Sequence, residues 1–450
     1  MKDHCLYTSK EQSPSDYANA EFSSAESPRA LGALCISAIA SNQGKTVLTT
    51  ALLHHFRDSV RPFKIGPDFI DPQFHESICK TPSINLDRFM MNDEQLKWLF
   101  NHYSDKAISI CEGVMGFYDG MDKGSSAYDL SKLLQIPTIL LLDGSSSYIT
   151  VSAVLKGLAT YKEDNTIKGV VLNKLSSESH YELIKKQIES DFNEIEVLGW
   201  IKKGLNTLAD THLGLDLKDT NKIETIANEV LEHIDLTKLE QIASSFTPQT
   251  TPNYPFETLE KVEKKIAIVN DENFSFLYHD NAQFLQELFS DVVFVNATKD
   301  EQIPSDADVV YIPGGYVESE HNYANLKDSN NFKNSLIEHA KTKKVYAECA
   351  GLLYLGNRVD EKAMSGILDL DFTLHKRFQR MGYYYANKEH TKGHSFHYTN
   401  VIDPKEGTEI LSKTKAGEGQ IGSWEKGDVF GTYLHIMLRP NGELVKRRFL

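Results

Sequence analysis

Short apolar runs alternate along the chain with stretches whose apolar residues recur every three or four positions. The runs at residues 34–39, 63–65, 108–111, 138–142 and 169–172 read as strands buried on both faces, because such strands carry no polar alternation. Residues 44–56, 94–102, 148–160 and 178–190 read as the helices between them. A last helical pattern at 222–242 leads into a Ser/Thr/Pro-rich run, which reads as a linker at 244–264. A second alternation starts at 265–269 and continues through 292–295, 309–312 and 345–347. The pattern predicts two α/β domains, residues 30–243 and 265–450, with parallel sheets covered by helices. Residues 1–29, rich in Ser, Glu, Asp and Asn without periodicity, read as a disordered leader.

Composition narrows the classes more than it names one. The formal charge of −15 over 450 residues speaks against a nucleic-acid binder and leaves room for a local basic pocket. Five scattered cysteines without a CxxC pair fit a reducing cytoplasm with neither a disulfide framework nor a zinc knuckle. No apolar run reaches the roughly 18 residues of a membrane span, and the N-terminal stretch lacks a signal-peptide core.

Three loops of the first half carry chemistry. The strand at 34–39 runs through Ser41-Asn42-Gln43-Gly44-Lys45-Thr46 into a helix, the plan of a phosphate-binding loop. Backbone N–H groups would wrap the phosphates, Lys45 would reach the outer ones, and the Thr46 hydroxyl would hold Mg²⁺. A complete loop of this type has glycine where Ile39 stands, and glycine is common where Asn42 stands; Asn tolerates the left-handed turn better than most residues. Gly66-Pro67-Asp68-Phe69-Ile70-Asp71-Pro72-Gln73-Phe74-His75 and Cys111-Glu112-Gly113-Val114-Met115-Gly116-Phe117-Tyr118-Asp119-Gly120 follow two further strands. Loops after the carboxyl ends of parallel strands converge on one crevice, so Asp68, Asp71 and Glu112 face the phosphate loop as candidate metal holders. Turn closure alone is the other reading of each loop.

In the second half, Cys349 lies where the strand at 343–347 meets a helix opened by Gly351. A thiol on such an elbow is exposed to helix N–H groups that lower its pKa and hold an oxyanion, although an arbitrary intracellular cysteine is more often structural. Pro313-Gly314-Gly315 follows the strand at 309–312, and His435 follows a β-like run, which makes it the candidate base of a Cys–His pair.

With these strings on the page, the chain resembles the cobyrinic acid a,c-diamide synthases, ATP-dependent amidoligases that carry a class I glutamine amidotransferase domain. Their S-G-x-G-K-T, G-P-D-Y-I-D-P-x-F-H and E-G-V-M-G-x-x-D-G strings are met here with Asn42 for Gly, Phe69 for Tyr, and the third intact. The likeness runs from about residue 33 to 437, through Asn270 to Tyr278, Met381-Gly382-Tyr383 and Gly393-His394-Ser395-Phe396-His397-Tyr398. It implies a P-loop parallel-sheet synthetase domain followed by a class I glutamine amidotransferase-like α/β domain. ATP would lie on residues 41–46 and Asn173, and Mg²⁺ on Thr46, Asp68 and Glu112. Asp68, Phe69, Ile70, Asp71, Glu112 and Asp119 would form the amidation site, and Gly314 or Gly315 with Ala350 the oxyanion hole. Asn173 stands like the strand-end Asn by which related synthetases read adenine, with a helix cap as the alternative. Asp210-Thr211-His212-Leu213-Gly214-Leu215 resembles a family S-R-H-L-G-L string without its Arg. Val317 replaces the usual Pro of P-G-G-Y-P-E, and Ser395 replaces Glu. Most class I enzymes carry His-x-Glu, but Met437 occupies that place here, as the cobyrinate branch also lacks the Glu; the group orienting His435 is then unidentified.

The implied partners are glutamine and a tetrapyrrole polycarboxylate, with no nucleic acid and no membrane, in the cytoplasm; a homodimer is left open. Hydrogenobyrinic acid and nickel-sirohydrochlorin stay open as the macrocycle. Outside this class, a P-loop ATPase switch would need none of Cys349, the Pro-Gly-Gly loop and His435.

Overall fold

Seven strands, β1 (Gly32–Ala38), β2 (Val60–Ile65), β3 (Ile84–Leu86), β4 (Ile108–Gly113), β5 (Thr138–Asp143), β6 (Ile167–Leu175) and β7 (Glu196–Lys202), form a sheet in the order β3-β2-β4-β1-β5-β6-β7. Every pairing in it is parallel. The computed structural model describes residues 32–205, 220–250, 252–403, 407–415 and 417–450. The expected leader and the string at 210–215 lie outside them.

Strand β1 shows why the strands read as unbroken apolar runs. Ala33 and Cys35 join a core with Phe63, Phe100 and Leu140, while Leu34 and Ile36 join a separate one with Leu48, Leu52 and Val171. Side chains alternate across a strand, so a sheet with helices on both faces needs apolar residues at every position.

Two expectations are corrected. The helical pattern at 222–242 is two helices, Thr220–Leu231 and Leu236–Ser244, because the Asp235 side chain accepts from the Lys238 N–H at 3.0 Å and starts the second. The string at 66–75 is a loop only as far as Phe69. Asp68 Oδ1 accepts from the N–H groups of Ile70 and Asp71 at 2.8 and 3.2 Å and opens the helix Ile70–Cys79. Pro72 is tolerated there because first-turn N–H groups have no partner inside the helix.

The second half holds β8 (Val262–Val269), β9 (Phe289–Val295), β10 (Val309–Ile312), β11 (Lys344–Glu348), β12 (Arg358–Val359), β13 (Lys362–Ala363), β14 (Asp371–Leu374), β15 (Arg380–Ala386), β16 (Thr391–His397), β17 (Thr399–Ile402), β18 (Glu409–Ser412), β19 (Gly419–Lys426) and β20 (Val429–Thr432). Nine of them make one sheet, β16-β15-β18-β19-β20-β11-β10-β8-β9. From β9 across to β20 the pairings are parallel; from β20 outward to β16 they are antiparallel. The apolar alternation foresaw the parallel part alone, because the antiparallel strands leave alternate residues exposed.

The two sheets share an apolar junction in which Phe69, Tyr278 and Met437 belong to one buried cluster. Hydrogen bonds cross it from Tyr103 to Asp280 at 2.8 Å, from Tyr383 to Asp87 at 2.5 Å, and from Gln73 to the Ser275 carbonyl at 2.8 Å. Arg439, fully buried, pairs with Asp280 and Glu287 at 2.9 and 2.7 Å and lies over the Trp98 ring.

Candidate functional site

The loops after β1, β2 and β4 meet at one end of the first sheet, as parallel topology requires. Asn42 and Gly44 take φ of 60° and 94°, so the Asn does adopt the left-handed turn in place of glycine. A Cβ on Gly44 would stand 2.6 Å from Asn173 Nδ2. That amide donates to the Gln43 carbonyl at 2.8 Å, which places Asn173 as a brace beneath the loop. It caps no helix, since Ser177 opens the helix that follows β6. Ser41 is exposed on the outer turn. Lys45 is buried and donates to the Ala40 carbonyl at 2.9 Å, folded across its own loop without a carboxylate partner.

Beneath the loop lies a charged cluster whose Lys64, Glu112 and His75 are buried. The Thr46 hydroxyl donates to Glu112 Oε1 at 2.8 Å; Lys64 Nζ donates to Asp71 and to Glu112 Oε1 at 3.2 Å, with Asp68 Oδ2 at 3.8 Å. His75 Nε2 lies 2.9 Å from Glu112 Oε2, and its Nδ1 lies 3.1 Å from the Ser83 hydroxyl. Burial opposes the charge on Glu112, but Lys64 and the His75 and Thr46 hydrogen bonds outweigh it and hold the carboxyl far below its usual range. Burial and the neighbouring Glu112 push Asp71 up to about 6 against the pull of Lys64. The motifs did not single out Lys64; the available signal was a lysine set between Phe63 and Ile65 in a strand buried along its whole length. Asp119 lies outside this cluster, exposed, with Oδ2 accepting from the Gly116 N–H at 2.8 Å and its charge acting on Lys45 of the phosphate loop. A hydroxyl and a carboxylate oxygen 2.8 Å apart suit a hard cation such as Mg²⁺, so Thr46 and Glu112 fit the ion, with Asp68 Oδ2 nearby.

The second centre forms at the end of β11. Cys349 takes φ 54° and ψ −111°, a conformation an L-residue holds only when its surroundings impose it. Its N–H donates to the Thr432 carbonyl at 2.8 Å, and the helix Ala350–Leu355 begins at once. The glycines about it are obligatory. A Cβ on Gly351 would stand 2.4 Å from the Ile312 carbonyl oxygen, and one on Gly314 would stand 2.2 Å from His435 Cε1. The Cys349 sulfur and ring nitrogens of His435 and His397 lie within 4.8 Å of one another.

The expected lowering of the thiol pKa is not what the surroundings produce. Burial pushes Cys349 up to about 12, and burial with the adjacent His394 and His397 holds His435 well below its usual value. The resting pair is therefore thiol and neutral imidazole.

A cavity of about 270 Å³ opens on the pair, lined by Phe69, Phe276, Tyr316, His397 and Tyr398 among others. It is smaller than the roughly 300–1,000 Å³ of sites for drug-sized ligands, a scale suited to an amino acid. Phe69 comes from the first half of the chain. Its ring stacks on Phe276 at 5.0 Å and 5°, and its centroid is 4.9 Å from that of His435. Asp68, one residue earlier, reaches toward Lys64. One short loop thus touches both centres, with Ile70 half exposed at the rim.

Residues 34–213 match the family described as CobQ/CobB/MinD/ParA nucleotide binding domain, and residues 265–442 match CobB/CobQ-like glutamine amidotransferase domain. The chain is 34% identical over 440 residues to the cobyrinate a,c-diamide synthase of Caldanaerobacter subterraneus subsp. tengcongensis, covering 90% of this chain and 95% of that one. It is 34% identical over 436 residues to that of Methanococcus maripaludis, covering 89% and 95%. For that of Listeria monocytogenes the identity is 32% over 450 residues, covering 92% and 98%. No helix among the described residues is long and apolar enough to cross a membrane.

Proposed function

We propose, from the premise that the chain belongs to the cobyrinate a,c-diamide synthase family, that it converts the a and c side-chain carboxylates of cobyrinic acid to amides, using ATP and glutamine. The observation that carries this reading is the shared loop: Asp68 faces the charged cluster under the phosphate loop while Phe69 walls the thiol cavity. Activation and nitrogen supply are then neighbours.

At the second centre, Cys349 attacks the side-chain amide carbon of glutamine. His435 takes the thiol proton and returns it to the leaving nitrogen, so ammonia departs and a thioester remains for water to hydrolyse to glutamate. The N–H of Ala350 and one from Gly314 or Gly315 hold the oxyanion of each tetrahedral intermediate. At the first centre, the backbone of residues 41–46 cradles the phosphates of ATP and Lys45 swings from the Ala40 carbonyl to the outermost one. Thr46 and Glu112, with Asp68 in reach, would hold Mg²⁺, which would supply positive charge against the phosphates. Transfer to a substrate carboxylate gives an acyl phosphate, from which ammonia displaces phosphate to form the amide.

Incubation with ATP, Mg²⁺ and glutamine is expected to place two amides on cobyrinic acid, counted by mass spectrometry. Hydrogenobyrinic acid and nickel-sirohydrochlorin serve as parallel substrates. Faster diamidation of either one would replace the proposed substrate, and no amide on any of them would overturn the assignment.

Phe69→Ala is expected to keep glutamine hydrolysis and to raise the glutamate released per amide formed severalfold, because the wall between the cavity and the first centre loses its ring. Loss of a buried Phe also costs about 3–5 kcal/mol of stability, so the ratio is read below the melting transition. An unchanged ratio would remove Phe69 from the transfer path.

A further inference from the structure

Among the described residues, the buried imidazole of His435 has no hydrogen-bond partner at Nδ1. A catalytic imidazole normally has this nitrogen held by an acceptor, which selects the tautomer and aims the other nitrogen at the nucleophile. The place two residues on, where many enzymes of this class carry Glu, is Met437, whose thioether is at best a weak acceptor. Among the described residues, one carboxylate lies within 4.0 Å of the ring nitrogens: Glu348, whose Oε2 is 3.9 Å from Nδ1.

Glu348 is itself anomalous. It ends β11 one residue before the nucleophile and is 1% exposed, yet among the described residues no Lys or Arg pairs with it. Its partners are the hydroxyls of Tyr346 and Tyr311, at 3.0 and 3.2 Å, and the backbone N–H of Ile436 beside the imidazole. A buried carboxylate without a counter-charge is costly, and such groups cluster at functional sites.

We propose that Glu348 is the positioning residue of the thiol centre: its carboxylate accepts the Nδ1–H of His435 and leaves Nε2 free to take the thiol proton. The third member then comes from the nucleophile's own strand instead of the residue pair after the histidine. A ring shift of about 1 Å closes 3.9 Å to hydrogen-bond distance, and catalytic hydrogen bonds that are long in the free enzyme tighten on substrate binding.

The role predicts a pH signature. Burial pushes Glu348 up to about 8, so below that pH the carboxyl carries a proton and donates to Nδ1, which forces the proton of the neutral ring onto Nε2 and blocks the base. Glutaminase kcat rises as pH passes upward through that value. Other titratable groups around the pair lie away from it: Tyr278, Tyr311 and Tyr346 are pushed well above 10 by burial, Cys349 is near 12, and His394 and His397 are near 3. Glu318, on the far side of Cys349, is also raised by burial.

The inference rests on Cys349 and His435 being a glutaminase, which the wild-type assay tests separately. Glu348→Gln, made in the full chain, is expected to lower glutaminase kcat by about 10²–10⁴-fold with little change in KM, to lose the alkaline rise, and to retain synthesis from ammonia. Tyr346→Phe removes one donor to the charged carboxylate and is expected to move the rise to higher pH while keeping activity, which reads the role without Glu348→Gln having to fold. A Glu348→Gln enzyme with near wild-type kcat, or a rise that Tyr346→Phe does not move, overturns the proposal. A wild type without glutaminase activity would instead overturn the reading beneath it.

Discussion

Cys349→Ser is expected to abolish amidation from glutamine and to leave amidation from ammonia at the wild-type rate. The loss is on the order of 10⁶-fold, because a nucleophile acts as a unit with its base and removing it forfeits nearly all covalent catalysis. Serine keeps the shape of the elbow, so the strained φ of 54° and the Ala350 N–H stay in place. It does not keep the chemistry, since a hydroxyl beside an imidazole whose pKa is held well below the usual range is a poor nucleophile. The first centre meets this pair through the Asp68–Phe69 loop, which the substitution leaves unchanged. Glutamate release and amide formation, measured side by side with each nitrogen source, check the result. If amidation from ammonia vanished with glutaminase while the fold persisted, the division of labour between the two centres would be wrong.

The opposite variant has the complementary outcome. Lys45→Met is expected to cut amidation from both glutamine and ammonia by about 10²–10³-fold, the cost of one preorganised donor to developing charge, while glutamine hydrolysis continues. The substitution is structurally mild. Lys45 makes one hydrogen bond, to the Ala40 carbonyl, and no carboxylate is left buried without a partner when it is removed. Glu112 would be a poorer choice: it holds Lys64, His75 and Thr46 at once, and its loss leaves charges buried in the protein interior. The measurement is product formed from either nitrogen source at saturating ATP, with glutamate release as the control. Normal synthesis in Lys45→Met would show that the loop does not hold the reacting phosphate.

Both variants were legible from sequence, for local reasons. A phosphate loop is one strand, a tight turn and one helix start; a nucleophile elbow is another. Each needs particular residues within about ten positions, so the residues themselves carry the signal. The same holds for the strands of the parallel sheets, whose apolar runs are set by burial on both faces. It fails for β3, which is three residues long, for β7, whose apolar run is broken by Gly199, and for the antiparallel extension of the second sheet, whose residues alternate between core and water.

What the sequence by itself determined is therefore the candidate reactive groups and the turns that present them: Lys45 and Thr46 on one elbow, Cys349 on another, Asp68 in the loop after β2 and Glu112 near the end of β4. Only the tertiary structure decided which of them meet. Lys64 reaches Glu112 because β2 lies beside β4; Phe69 reaches His435 because the two halves bury a common apolar junction; Glu348 lies near the imidazole because β11 pairs with β20. Turn geometry is a property of a few neighbouring residues, whereas these encounters are set by strand order and packing between segments far apart in the chain. That is why the proposed dyad could be read from the residues, and why its proposed third member emerged only from the fold.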